Sequence, residues 1–263
     1  MENTDIFAQL NQVLDNGGDV MAIVVGGRRH NNNTRGGPGN ARNNKPRGNT
    51  TRNVSQDQTE RVYRLLEGVP EDIKHRFQFD AVASWSITNM RIAREFAATL
   101  LRIIAKPNPI ITDAMACVGG NSIAFAETFA YVNANELDPA RSRMLANNLR
   151  LFGRTNATVF NDYSQTIIPT LMQDAIFFDP PWGTDYKKYA PGTMKIYLGG
   201  PNTNHELFDD IAATACQYAS FIAMKLPVNY AVDDLVAAML PAREIHRECH
   251  GKPNTSLLLV FGV

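Results

Sequence analysis

The sequence predicts an α/β fold: a seven-stranded, mostly parallel sheet with an antiparallel C-terminal hairpin, and helices on both faces. Three observations predict it. From residue 110 onward, short apolar runs alternate with helical patterns, which marks strand–helix–strand units and a parallel sheet. Several of those runs stop at an acid or a glycine turn, as strands do where an open sheet binds ligands. The last two runs, 242–249 and 256–261, are joined only through Lys252-Pro253-Asn254, too short for a crossover and suited to a hairpin.

Composition sets the bounds. The chain has 263 residues, 44% hydrophobic and 20% charged, which fits one globular α/β domain with a sizeable core. No apolar run approaches the ~18 residues of a membrane span, so no membrane partner is expected. The acidic start, Met1-Glu2-Asn3-Thr4-Asp5, is unlike a signal peptide. Cys117, Cys216 and Cys249 lack C-x-x-C spacing, which argues against a disulfide framework and for a reducing, intracellular compartment, cytoplasm or nucleus. The five histidines show no metal-binding spacing, and no metal is expected.

Net charge is zero but unevenly spread. Val20 to Gln56 holds seven basic residues and no acid, leaving 19 basic and 26 acidic residues elsewhere, a net of −7. The expected organisation is a short N-terminal segment (1–25), a disordered basic Gly/Asn/Arg-rich arm (26–56) and a domain over 57–263 with a helical lead-in (57–105). Within the first segment, Ile6, Phe7, Leu10, Val13 and Leu14 suggest a helix over 4–15, and Val20–Val25 is a short apolar run. The arm has too few large apolar groups to offset chain entropy. Its Arg35-Gly36-Gly37 and Arg47-Gly48 resemble RGG-type tails, which bind RNA through phosphates and stacking.

In the lead-in, Val62, Leu65 and Leu66 predict a helix over about 57–67, and Pro70 and Asp72 start a short turn before Phe77 and Phe79. Ser86 or Thr88 is expected to cap a long helix from Asn89 to Ile104, striped by Ile92, Phe96, Leu100 and Ile103 and ended by Lys106-Pro107. The sheet then follows. Strands are expected at 110–114, 131–136, 157–161, 175–179 and 220–226, with helices at 121–129, 139–152, 205–217 and 231–239. Asp138 and Pro139 open the second of these helices and Gly153 closes it.

The candidate site gathers at the strand ends. Asp174-Ala175-Ile176-Phe177-Phe178 is a buried-strand pattern that stops at Asp179-Pro180-Pro181-Trp182-Gly183. Two prolines stiffen the turn. Its carbonyls and the Asp179 carboxylate suit the exocyclic amine of a planar base, on which Trp182 stacks. Asp113 ends the first strand, and Gly119-Gly120-Asn121 opens the next helix, where backbone N–H groups approach a ligand. Glu136 ends the second strand, where an acid takes ribose hydroxyls. Asp162 follows the third, within reach of an adenine amine. There is no G-x-G-x-x-G and no P-loop, so NAD and nucleoside-triphosphate motifs are absent. S-adenosylmethionine is the remaining common adenosine cofactor of such a sheet.

On these residues the chain resembles a Rossmann-like class I methyltransferase, and more narrowly the trimethylguanosine synthases, the RNA cap guanine-N2 methyltransferases. Trp85-Ser86-Ile87-Thr88 is similar to that family's tryptophan–aromatic–serine–valine–threonine segment. Asp113 through Asn121 resembles its first cofactor motif, with Cys117 where the family has a glycine. Glu136-Leu137-Asp138-Pro139 with Asn147-Asn148 resembles its D-x-D-P…N-N segment, Asp179 to Gly183 its S-P-P-W-G-G, and Lys225-Leu226-Pro227 its fifth-strand ending.

The resemblance implies S-adenosylmethionine held by Asp113, Cys117, Gly119, Gly120, Asn121, Glu136 and Asp162. It implies catalytic positioning by Asp179, Pro180, Pro181 and Trp182. A 7-methylguanosine cap would stack on Trp182, with Trp85, Ser86 and Thr88 beside it and Tyr186, Lys187, Lys188 and Tyr189 toward the cap phosphates. The expected partner is capped RNA, further gripped by the arm, and the expected state is a monomer. Asp179 stands where many members carry serine and is typical of adenine-N6 methyltransferases, so adenine methylation is an alternative. A non-catalytic RNA-binding subunit is a third reading, resting on Cys117.

Overall fold

The computed structural model describes residues 24–26, 54–199, 205–251 and 255–263. The helix expected over 4–15, most of the basic arm and the turn at 252–254 lie outside the described residues.

Eight strands form the main sheet: β1 (Val24–Gly26), β2 (Ile110–Asp113), β3 (Tyr131–Asn135), β4 (Ala157–Asn161), β5 (Ala175–Phe178), β6 (Phe221–Pro227), β7 (Arg243–His250) and β8 (Ser256–Gly262). Their spatial order is β1-β4-β3-β2-β5-β6-β8-β7. All neighbours run parallel except β8, which is antiparallel to both β6 and β7. The seven expected strands are present in order, and β1 adds a three-residue edge beside β4. The central strands are legible as apolar runs because both faces are covered; β5 is buried at every residue.

The helices are α1 (Gln56–Leu65), α2 (Glu71–Arg76), α3 (Ala83–Ser86), α4 (Met90–Ile104), α5 (Gly120–Thr128), α6 (Pro139–Leu151), α7 (Ser164–Ile167), α8 (Phe208–Ala215) and α9 (Val232–Ala238). The lead-in starts earlier than its charge pattern suggests. Ser55 caps α1 in a capping box with Gln58, and Val54 already packs on the core, so the last residues assigned to the arm belong to the domain. Neither Ser86 nor Thr88 caps α4. Asn89 does, accepting from the N–H groups of Arg91 and Ile92, while Ser86 closes the unexpected short helix α3. In α6, Asp138 and Pro139 act as expected at the N-terminus. The expected helix 205–217 shortens to α8, because Glu206–Leu207 pairs with Tyr197–Leu198 in a small antiparallel ladder.

One core packs between the sheet and α1, α4, α5 and α6; the other lies under α8 and α9. Phe96 of α4, Phe125 of α5 and Phe177 of β5 are fully buried and meet ring to ring. Each such side chain contributes about 1.5–3 kcal/mol by leaving water. Asn148 of α6 ties the lead-in to the loop after β2. Fully buried, it accepts from the Gln78 N–H and donates to the carbonyls of Gln78 (2.8 Å) and Val118 (2.9 Å).

Gly119 closes that loop at φ +100°, and a Cβ there would stand 2.9 Å from Leu145 Cδ1. Gly119→Ala should therefore destabilise the fold by about 2 kcal/mol or more. Thermal unfolding should show a drop in Tm of roughly 5 °C, and an unchanged Tm would contradict the packing described.

Candidate active site

A cavity of about 1570 Å³ opens across the carboxyl ends of the parallel strands. Ordinary ligand pockets hold ~300–1,000 Å³, so this one has room for a cofactor and a second ligand together. One wall is the lead-in, with Arg61, Trp85, Ser86 and Thr88; another is the loop after β2 with Cys117, Gly120 and Asn121; a third is the turn Asp179 to Trp182 with Tyr186 and Lys187.

The first half is built on backbone. Ala116 N–H bonds the carbonyl of Asn135, and Cys117 N–H donates to Glu136 Oε2 at 2.9 Å. Cys117 sits at φ +51°, a left-handed conformation that explains why a glycine is at home there. Burial pushes its thiol up to about 12, which disfavours the thiolate. Glu136 also accepts from Asp138 N–H (2.8 Å) and from Arg141 (3.3 Å). A carboxylate has about four acceptor positions, so one remains for a ligand hydroxyl. Burial moves the Glu136 carboxyl upward. Arg141 reaches Asp80 as well, at 3.4 Å, linking this acid to the lead-in.

Three expected cofactor residues do not reach the wall as side chains. Asp113 is fully buried beneath it and accepts from Ser122 Oγ at 2.6 Å; the strand alternation that puts Ala114 on the cavity lining turns Asp113 inward. Gly119 serves the turn and the packing on Leu145. Asp162 accepts from the N–H of Tyr163, and its backbone pairs with the Asn135 amide. The adjacent Tyr163 and Ser164 are on the wall instead. The signal for Tyr163 was available: an aromatic directly after the strand-three acid.

The second half centres on Asp179. The register of β5 and β6 sets Phe178 against Met224, which brings the next residues, Asp179 and Lys225, side by side. Asp179 Oδ2 accepts from Lys225 Nζ (2.8 Å), Asn121 Nδ2 (3.1 Å) and Thr88 Oγ1 (3.2 Å). Lys225 Nζ also donates to Thr88 Oγ1 at 2.9 Å. Trp182 packs edge-on to Tyr186, ring centroids 5.2 Å apart, and the Lys225 ammonium lies 5.1 Å from the indole centroid. Trp85 is 65% exposed and carries the Arg61 guanidinium 4.7 Å above its ring. Lys187 is on the wall, whereas Lys188 pairs with Asp185 and, like Tyr189, stands off it. Sequence reasoning left Lys225 out of the site; a lysine inside an otherwise buried strand pattern was its signal.

Two polar atoms of residues lining the wall are buried without a partner among the described residues, Asn121 Oδ1 and Trp182 Nε1. Buried polar groups are normally satisfied, so an acceptor and a donor left open in one cavity fit a polar ligand. The Asn121 amide oxygen, the Glu136 carboxylate and the Tyr163 ring form an acceptor and stacking set that fits S-adenosylmethionine. Among the described residues no cluster of histidine, cysteine and acid suits a metal, and no helix is long and apolar enough to cross a membrane.

This sheet order, its reversed last strand and the cleft at the strand ends define a Rossmann-like class I methyltransferase fold. Solved structures agree on the fold. A protein of Listeria monocytogenes, provisionally named a class I S-adenosylmethionine-dependent methyltransferase, matches with a TM-score of 0.53 at 9% identity, over 72% of this chain and 64% of that one. A protein of Pyrococcus horikoshii, provisionally named an RNA methyltransferase, matches at 0.51 and 14% identity, over 80% and 97%. The chain belongs to the RNA cap guanine-N2 methyltransferase family, whose signature matches residues 108–254. An uncharacterised protein of Acanthamoeba polyphaga mimivirus, L320, is 34% identical over 138 residues, 47% of this chain and 48% of that protein. The chain thus spans about half the length of this curated relative.

Burial drives the Asp113 carboxyl up to about 7. Its folded value lies above that of an unfolded aspartate, so its stabilising contribution is full below about pH 4 and is lost as pH rises through about 7. The Tm of the wild type should therefore fall relative to that of Asp113→Asn from about pH 4 to about pH 8. A pH-independent difference would mean that Asp113 is not held protonated.

Proposed function

We propose that the protein methylates the exocyclic N2 amine of a 7-methylguanosine RNA cap. The observation that carries the reading is the pairing, in one cavity, of a cofactor half around Glu136 and Asn121 with a half holding Asp179 and Trp182. When bound, S-adenosylmethionine supplies an electrophilic methyl on its sulfonium. Glu136 takes a ribose hydroxyl and Asn121 a polar group with its open Oδ1. Leu137 and Tyr163 flank the adenine. Trp182 stacks on the base, and the positive charge of a 7-methylated guanine strengthens that contact. Asp179 Oδ1 and the carbonyls of the Pro180-Pro181 turn accept the N–H bonds of the amine and aim its lone pair. Positioning carries most of the catalysis, because the donor is intrinsically reactive. Lys187 and Arg61 meet phosphates. Among the seven basic residues of the arm, Arg28 to Arg52, contacts go to the RNA chain beyond the cap.

Methyl transfer from labelled cofactor to three substrates tests the reading: 7-methylguanosine triphosphate, guanosine triphosphate and an adenine-containing oligonucleotide. Transfer to the first alone is expected. Transfer to the oligonucleotide alone would establish adenine methylation, which the Asp-Pro-Pro-Trp sequence also suits.

Trp182→Ala should cut kcat/KM on the cap nucleotide by about 10- to 100-fold, since stacking on a base is worth ~1–3 kcal/mol. Binding of S-adenosylhomocysteine, followed by calorimetry, should change little. Retained activity would remove Trp182 from the base site.

Replacing the seven arm basic residues with glutamine should weaken binding of capped RNA, most at low salt, and flatten its salt dependence. Methylation of a cap dinucleotide should persist, and its loss would make the arm part of the site.

A further inference from the structure

We propose that Lys225 is a positioning residue of the methyl-transfer site, which with Asp179 forms one electrically neutral unit that tunes the charge seen by the base. The proposal rests on the cap reading for the identity of that base, not for the unit itself.

Three observations converge. The two side chains are nearly buried, 11% exposed for Lys225 and 12% for Asp179, and meet at 2.8 Å. The bonds from Lys225, Asn121 and Thr88 all fall on Oδ2. Among the described residues none falls on Oδ1, so a single oxygen is left to orient an amine N–H. Third, the ammonium stands 5.1 Å from the centroid of the Trp182 ring. The same cation therefore touches both groups proposed to hold the base.

The charges act on the ligand in opposite senses. An ammonium beside the indole competes with a cationic base for the ring and repels it; the carboxylate attracts it. Paired, they cancel, and the preference for 7-methylguanine over guanine is left to Trp182. Removing one partner leaves a buried, unbalanced charge beside the base.

The test is a cycle of wild type, Asp179→Asn, Lys225→Met and the double variant. Binding of 7-methylguanosine triphosphate and of guanosine triphosphate is followed by quenching of tryptophan fluorescence, with melting temperature and S-adenosylhomocysteine binding as checks of folding. The ratio of the two affinities should fall in Asp179→Asn and rise in Lys225→Met, each by about 5- to 10-fold, and return toward the wild-type ratio in the double variant. Lys225→Arg should keep the ratio and lose mainly kcat, because charge is retained and position is not. If Asp179→Asn fails to fold, the contrast of Lys225→Met with Lys225→Arg decides. A ratio equal in all folded variants, single variants that shift it in the same direction, or a double variant whose ratio stays as displaced as that of a single variant, overturns the proposal. If the wild type itself binds both nucleotides equally, the cap reading fails. The unit then stands or falls on the melting temperatures, which must show the double variant less destabilised than the two single variants together.

Discussion

The interaction on which the site depends is the buried ion pair of Asp179 and Lys225. It joins the ends of two adjacent parallel strands, and through Thr88 and Asn121 it reaches the lead-in and the helix after β2. Desolvating two charges is costly and is repaid only with good geometry and further hydrogen bonds. Here the bonds draw together four elements: the turn after β5, the end of β6, the lead-in and the start of α5. Each element is thereby constrained by the others, and the turn at Pro180-Pro181 inherits its position from all of them. A stiff turn alone would fix its own shape; the pair fixes where that shape stands in the cleft.

The two halves of the cavity are built by different means. The cofactor half uses backbone groups and one acid, held by the register of β2, β3 and β4. Its precision comes from the sheet, and its side chains mostly serve the sheet. Asp113 bonds Ser122 beneath the wall, and Asn148 clamps Val118 to Gln78. The other half is made of long side chains on loops and on the lead-in: Arg61 on Trp85, Trp182 against Tyr186. Such groups adapt more easily, which suits the side proposed to admit a nucleotide chain and release it.

The elements most legible in the sequence are those whose local signals agree with their tertiary setting. β5 is an unbroken apolar run between turn residues, and α6 carries Asp138, Pro139 and Gly153 at its ends. What escaped reading depends on partners distant in sequence. Whether Ser86, Thr88 or Asn89 caps α4 turns on the insertion of α3, which four residues of ordinary composition do not announce. Asp113 and Glu136 both look like acids at strand ends, yet only Glu136 lines the cavity, because the register sets Asp113 against Ala134 inside the ladder while Glu136 lies two residues further on, past the end of its strand. Lys225 was visible as a charge in an apolar strand. Its partner lies 46 residues away and is brought alongside only by the pairing of β5 with β6.

The family signature begins at residue 108, yet a full wall of the cavity comes from residues before it: Arg61, Trp85, Ser86 and Thr88. That wall is not an appendage. Thr88 bonds Asp179, Arg141 bonds Asp80, and Gln78 is clamped by Asn148, so three separate polar contacts pin the lead-in to the sheet at the cleft. The Gly120 backbone packs so closely on Ile87 and Thr88 that an added Cβ would meet both at 3.3 Å. A shift of the lead-in would therefore disturb the cofactor loop and the Asp179 turn at once. In the proposed reaction, selectivity for what enters beside Trp182 and the geometry of transfer are thus set by one mechanical unit. It includes the lead-in as fully as it includes the strand ends.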